Sequence, residues 1–293
     1  MEGLQIRVAK AEDKKAILAF CENTWEDSSD YIHIVWDQWF SQSHGVIFVA
    51  LFNSIPVGMA RIVLLSDHET WWEGFRVDPA YRGRGIGSLL EAKRAEFVLE
   101  KNIKISRSLV SSKNTIRNQM MLKRRRKKVA CYCDYDSISL NDNSEKITNL
   151  IQCKSEDFDL VLNVINNSDY CLENYYLYDS NGLKYQKLTN GQLKISLKMG
   201  KVWGWKDNNK LSNIAIESYA EETQTSFWIG YIAGKIETFS SFFIELRRLA
   251  FQKNYHTIKT FFPINENLTQ VLIEAGYYKG NLGKHWLYEW NNF

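Results

Sequence analysis

Val77-Asp78-Pro79-Ala80-Tyr81-Arg82-Gly83-Arg84-Gly85-Ile86-Gly87-Ser88 follows a run rich in aromatic and β-branched residues, Trp71 to Val77. After it, Leu89, Leu90, Ala92, Lys93, Ala95, Glu96 and Leu99 set apolar and charged residues at helical spacing. The order is strand, glycine-rich loop, helix. Glycines at 83, 85 and 87 remove side chains where the backbone must come close to a ligand, and the N–H groups of the next helical turn carry a partial positive charge. Such a loop reads as a cradle for a diphosphate. A dinucleotide-binding loop needs a different glycine spacing and an acidic residue about 20 positions on, at the end of a second strand. Here the glycines are spaced by two, and the helical pattern runs on through Glu100 and Asn102.

Outward from this segment, 293 residues exceed the roughly 100 to 200 of one domain, so two domains are expected. A hydrophobic content of 45% supports large cores, and three Pro argue against long disordered linkers. No apolar run approaches the roughly 20 residues of a membrane span, and the N-terminus has no secretory pattern. The expected location is the cytoplasm, with no membrane partner. Five cysteines without zinc-finger spacing are expected to be reduced, and no metal site is expected. A net charge of +3 gives no overall attraction to nucleic acid. The local exception is Lys123-Arg124-Arg125-Arg126-Lys127-Lys128, which reads as a solvated face, as an aid to phosphate binding, or as a contact for an acidic partner or nucleic acid.

In the first half, strands are predicted at Gln5–Ala9, Val46–Phe52, Pro56–Leu65, Trp71–Val77, Lys104–Val110 and Val129–Leu140. Helices are predicted at Glu12–Asn23, Asp30–Phe40, after the loop, and at Thr115–Lys123. The second half repeats the plan: a helix at Lys154–Asn166, strands at Lys201–Lys206, Leu211–Tyr219 and Thr225–Ala233, a helix at Phe242–Asn254, a strand at Thr257–Phe262, then a helix from Asn265. Between Ile232 and Ser241, however, there is no Arg or Gln followed by Gly-x-Gly, so no second diphosphate cradle is expected there. The seam falls at Asn141-Asp142-Asn143-Ser144, giving domains 1–143 and 144–293.

Arg82-x-x-Gly85-x-Gly87 after a Val-Asp-Pro strand end resembles the acyl-CoA signature of the GNAT acetyltransferase superfamily. The resemblance implies tandem GNAT folds of α/β (α+β) class, each a mixed, mostly antiparallel sheet flanked by helices, with a degenerate second copy. It implies acetyl-CoA as co-substrate and direct transfer to an amine. By that resemblance the main chain of Phe75, Arg76 and Val77 would pair with pantetheine, and Arg82, Gly83, Arg84, Gly85, Ile86, Gly87 and Ser88 would cover the diphosphate. Asn114 would be the motif asparagine of the cofactor site. The oxyanion donor would be a backbone N–H close to Val77.

Glu73 is the candidate general base, standing on the cofactor strand with Trp71 and Phe75 expected on its face; the alternative is a structural pair with Arg61. The family's tyrosine acid, seven residues after the asparagine, is replaced by Met121, and the Gly-Phe that usually follows this helix by Arg125-Arg126, which leaves Tyr132 or solvent to protonate the thiolate. Acceptor binding by the first two helices and their loop would bring in Asp30 and Tyr31, with Glu26, Asp27, Trp36 and Trp39; the alternative makes the aromatics core and the acids a solvated loop. Asp30-Tyr31 ahead of Trp39-Phe40, together with Glu73-Gly74-Phe75-Arg76-Val77, is also similar to the histidine N-acetyltransferase group, which implies an amino-acid acceptor. The competing class is a sensor or regulatory protein whose first half binds acyl-CoA without turnover and whose second half binds a partner or small effector. A third reading makes the second half a lid or a homodimer surface, its aromatic tail (Tyr277, Tyr278, Trp286, Tyr288, Trp290, Phe293) packing over the first domain's acceptor cleft.

Overall fold

The computed structural model describes residues 3–22, 24, 30–141, 149–168, 170, 177–180, 182–218 and 225–292. Residues 142–144 of the expected seam and 25–29 of the expected acceptor loop lie outside them. The chain forms two compact units: Met1–Leu109 with Leu122–Lys127 and Tyr288–Phe293, and Val110–Met121 with Lys128–Leu287. Both are mixed α/β, with mostly antiparallel strands flanked by helices. Among the described helices none is long and apolar enough to cross a membrane.

In the first unit, β1 (Leu4–Val8), β2 (Gly45–Phe52), β3 (Ile55–Leu64) and β4 (Glu69–Val77) form an antiparallel meander, and β5 (Ile105–Ser111) joins β4 in parallel. Asn53 and Ser54 both take positive φ, the twist that closes a tight β2–β3 hairpin. Helices α1 (Lys14–Cys21) and α2 (Ile32–Ser41) cover one face, where Ile17, Phe20, Val35, Trp36 and Trp39 pack on Ile47, Val49 and Met59. On the other face lies α3 (Ile86–Glu100), whose Phe97 meets Phe48 with ring centroids 5.9 Å apart. Alternation along β2 sends Phe48 and its neighbours Ile47 and Val49 to opposite layers, as the strand period requires. The first helix starts later than expected because Asp13 is held in a preceding turn by the Lys10 N–H and the Arg7 guanidinium.

In the chain order that follows come α4 (Thr115–Lys123), β6 (Lys127–Ile138), β7 (Leu150–Gln152), α5 (Phe158–Asn166), β8 (Leu177–Asp179), β9 (Tyr185–Lys187), α6 (Asn190–Lys198), β10 (Val202–Asp207), β11 (Lys210–Glu217), β12 (Ser226–Gly234), α7 (Ile236–Gln252), β13 (Thr257–Pro263), α8 (Glu266–Glu274), β14 (Tyr278–Lys279) and β15 (His285–Asn291). In the second unit β7, β10, β11 and β12 run antiparallel, β12 and β13 parallel, and β13 and β6 antiparallel. This is the strand plan of the first unit, as the repeat predicts. Two expectations need correction. The helix expected from Phe242 starts at Ile236, directly after the strand. The C-terminal tail is no cover over a cleft: Tyr288–Asn291 belongs to a strand of the first unit beside β5, where Glu289 pairs with Arg107 and Trp290 meets Trp72 edge-on at 4.6 Å. The β8–β9 hairpin and α6 have no counterpart in the sequence reading.

Candidate active site

The site is built at the end of β4. Arg61 pairs with Glu73 and Met59 with Arg76, so the strand carries a bulge at Gly74-Phe75. Gly74 takes φ +62, and a Cβ there would meet Trp39 at 2.8 Å, so only glycine fits both the bulge and the close helix α2. The extra residue resets the alternation. Phe75 therefore lies on the α3 side, where Arg94 sits 5.3 Å from its ring, and Arg76 joins Glu73 on the α2 side. The expectation that Phe75 shares Glu73's face is corrected by this bulge. The parallel ladder with β5 runs from Glu69↔Ile105 to Trp71↔Arg107 and stops there, while β4 continues to Val77.

Past Val77, Asp78 caps a short turn by accepting the Ala80 N–H at 2.9 Å. The Arg82 guanidinium is tied back to the carbonyls of Val77 (3.2 Å) and Thr24 (3.3 Å). Gly83 and Gly85 take φ +78 and +77, left-handed values that the chain needs to swing from strand into helix. No atom lies within 4 Å of a Cβ built on Gly83, so the cradle is open. Gly85 caps α3 without a side chain, and residues 82–85 are exposed while the Ile86 side chain is buried as an anchor. Ile86 can therefore offer a ligand only its N–H. The Ser88 N–H donates to the Gly85 carbonyl at 2.9 Å, which closes the first turn, and a helix start of this kind favours a nearby anion.

On the α2 side, buried Arg61 donates to Glu73 and to Gln42 and lies 4.5 Å from the Trp39 ring centroid. Glu73 thus does form the pair weighed as its structural alternative. Asp30 is equally engaged: it accepts from Arg76 at 2.6 and 3.1 Å and from the Ile32 N–H at 3.1 Å, and is 4% exposed. It is a partner of β4 and the start of α2, not an exposed anion. Burial alone would lower the Arg76 pKa, but Tyr31 and Asp30 outweigh it and hold it above the usual value. Burial, then Asp30, pushes the Cys21 thiol up to about 12. Tyr31 meets Trp39 edge-on at 6.0 Å and lies 5.2 Å from the Arg76 Cζ.

Other expected residues lie in the second unit. Asn114 caps α4, accepting the Arg117 N–H at 2.9 Å, and Met121 is fully buried. Tyr132 is 1% exposed and packed between Tyr185 (4.6 Å) and Phe261 (5.8 Å), a placement that serves packing. There the β12–β13 ladder ends at Ile229↔Thr260 while β12 continues to Gly234. The hairpin β8–β9 occupies the place beside that end. A Cβ on Gly230 would meet the Asp179 carbonyl at 2.4 Å, and the Tyr185 hydroxyl donates to the Phe261 carbonyl at 2.5 Å. What remains is a cavity of about 10 Å³ between Tyr132, Tyr170, Tyr185, Gly230 and Phe262, no more than one water's worth of room. Lys235 alone connects β12 to α7, so there is no loop to cradle phosphate.

Comparison with known proteins agrees with this geometry. Residues 14–124 match the model of the acetyltransferase (GNAT) family. A histidine N-acetyltransferase from Oreochromis niloticus is 29% identical over 97 residues, a match spanning 33% of this chain and 28% of that relative's length. Among solved structures, a GCN5-related N-acetyltransferase from Sphaerobacter thermophilus superimposes over 100% of this chain and 96% of its own with a TM-score of 0.68 at 11% identity. A tandem GNAT protein from the clavulanic acid biosynthesis pathway does so over 99% of both chains, with a TM-score of 0.55 at 12% identity. Residues 14–124 are therefore similar to the acetyltransferase (GNAT) family, and the chain along its length shares the fold of solved GNAT proteins, a tandem one among them.

Proposed function

We propose that the chain is an N-acetyltransferase that moves the acetyl group of acetyl-CoA to the primary amine of a small molecule, with the chemistry confined to the first unit. The observation that carries this is the junction of β4 and α3: a bulged strand whose parallel ladder stops early, followed by two left-handed glycines and an uncapped helix start. Main-chain groups of Phe75, Arg76 and Val77 bind pantetheine, and the N–H groups of Arg82–Ser88 hold the diphosphate. The amine attacks the thioester carbonyl, a backbone N–H close to Val77 donates to the oxyanion, and the C–S bond breaks to release the CoA thiolate. Glu73, oriented by Arg61, accepts the proton lost by the amine. Tyr31, half-buried and backed by the core residue Trp39, forms the acceptor's wall beside it. Among the described residues, burial raises the pKa of Cys21, Cys131, Cys133 and Cys153, which favours direct transfer over an acyl-cysteine route. The histidine N-acetyltransferase match supports an amino acid as the acceptor class.

The purified chain, given acetyl-CoA and a pool of amino acids, polyamines and amino sugars, should release thiol only when the acceptor is present, with the acetylated product visible by mass spectrometry. Tight acetyl-CoA binding without any product favours instead a sensor. The buried Met121 at the position of the usual acid speaks for that second reading.

A further inference from the structure

The basic run Lys123–Lys128 turns back sharply between the end of α4 at Lys123 and the start of β6 at Lys127. Arg125 takes φ +56 in this turn, a left-handed backbone that is unfavourable for a residue with a Cβ, and its N–H returns to the Leu122 carbonyl at 2.9 Å. The turn sends its two half-buried neighbours to different places. Arg126 stacks on Trp290, its Cζ 4.2 Å from the ring centroid. Arg124 reaches α3, where it donates to the carbonyl of Ser88 at 3.3 Å.

Ser88 lies in the first turn of α3, which has neither a side-chain cap nor an acidic residue. Exposed Arg82 and Arg84 stand just ahead of it. A helix N-terminus already carries positive partial charge, so a further guanidinium brought there adds repulsion that a bound anion reverses. We propose that Arg124 is a second arm of the phosphate site and makes a charge-assisted contact to the diphosphate of CoA, an assignment that rests on the cofactor reading above. The diphosphate is favoured over the 3′-phosphate because it sits on the same helical turn that Arg124 grips.

Calorimetric titration of the intact chain with CoA and with dephospho-CoA, at low and high salt, tests this. Arg124→Gln keeps a donor for Ser88 but loses the charge, and should weaken both ligands by about tenfold with a shallower salt dependence. Arg124→Lys, which keeps the charge, should recover most of the affinity, and Arg125→Gly should stay within about twofold of the unaltered chain. Unchanged affinity for Arg124→Gln, a loss confined to CoA and absent with dephospho-CoA, or an equal loss in Arg125→Gly would each overturn the proposal while leaving the cofactor reading intact. No binding by the unaltered chain would overturn the cofactor reading and this contact with it.

Discussion

The two units leave strand for helix in opposite ways. In the first, β4 reaches Val77 and the chain spends Asp78–Gly85 on a loop with two left-handed glycines before α3 begins. In the second, β12 reaches Gly234 and Lys235 alone leads into α7. Both parallel ladders stop before their strands end. In the second unit the chain itself fills the resulting place, with Tyr185, Tyr132 and the Asp179 backbone. The two units thus share a strand plan and differ in two local features, the length of this connection and the hairpin packed beside the second.

The strongest way to break this comparison is to reopen the filled place. Tyr185→Ala should cost the second unit roughly 3–5 kcal/mol in urea unfolding, as other large-to-small changes at buried aromatics do, and should create no CoA binding there because the loop is still missing. Next in size, Glu73→Gln should lower kcat on the order of 10² to 10³-fold in a steady-state assay while the acetyl-CoA Kd stays put; an equal drop in affinity would make Glu73 a structural partner of Arg61 only. The smallest effect is a pH dependence of the second unit. Burial, opposed by the Gly283 carbonyl and Asp134, lowers the His285 pKa. The folded chain therefore favours neutral His285, so its stability contribution is present above about pH 6.5 and is lost as pH falls from there through the depressed value. Urea midpoints should drop between pH 7.5 and pH 5.5 more in the unaltered chain than in His285→Phe, with a slope of at most ~1.4 kcal/mol per pH unit for this one group.

Much of the first unit was legible because its signals are local. Asn53-Ser54 marks a hairpin, and three glycines after a β-branched strand mark the cradle. The absence of a Gly-x-Gly motif after Ile232 was equally readable, whereas the short connection was not, since the helix expected from Phe242 starts at Ile236. What the sequence did not give up depends on distant partners. Strand alternation placed Phe75 beside Glu73, but Gly74 inserts a bulge, and the signal available was a glycine inside a strand. Asp30 read as an exposed anion because Arg76 is 46 positions away. The hairpin β8–β9 escaped because its tyrosines carry no strong alternation, and they are buried only once Phe261 and Tyr132 stand beside them.

The central claim is that one unit binds acetyl-CoA through the Arg82–Ser88 loop and the other cannot. Calorimetric titration of the chain with acetyl-CoA measures this directly, with Gly85→Val as its partner experiment. The account predicts one site per chain, weakened on the order of 100-fold by Gly85→Val, since the branched side chain strains a left-handed residue and intrudes where phosphate must approach. Two sites per chain, or one site indifferent to Gly85→Val, would contradict it.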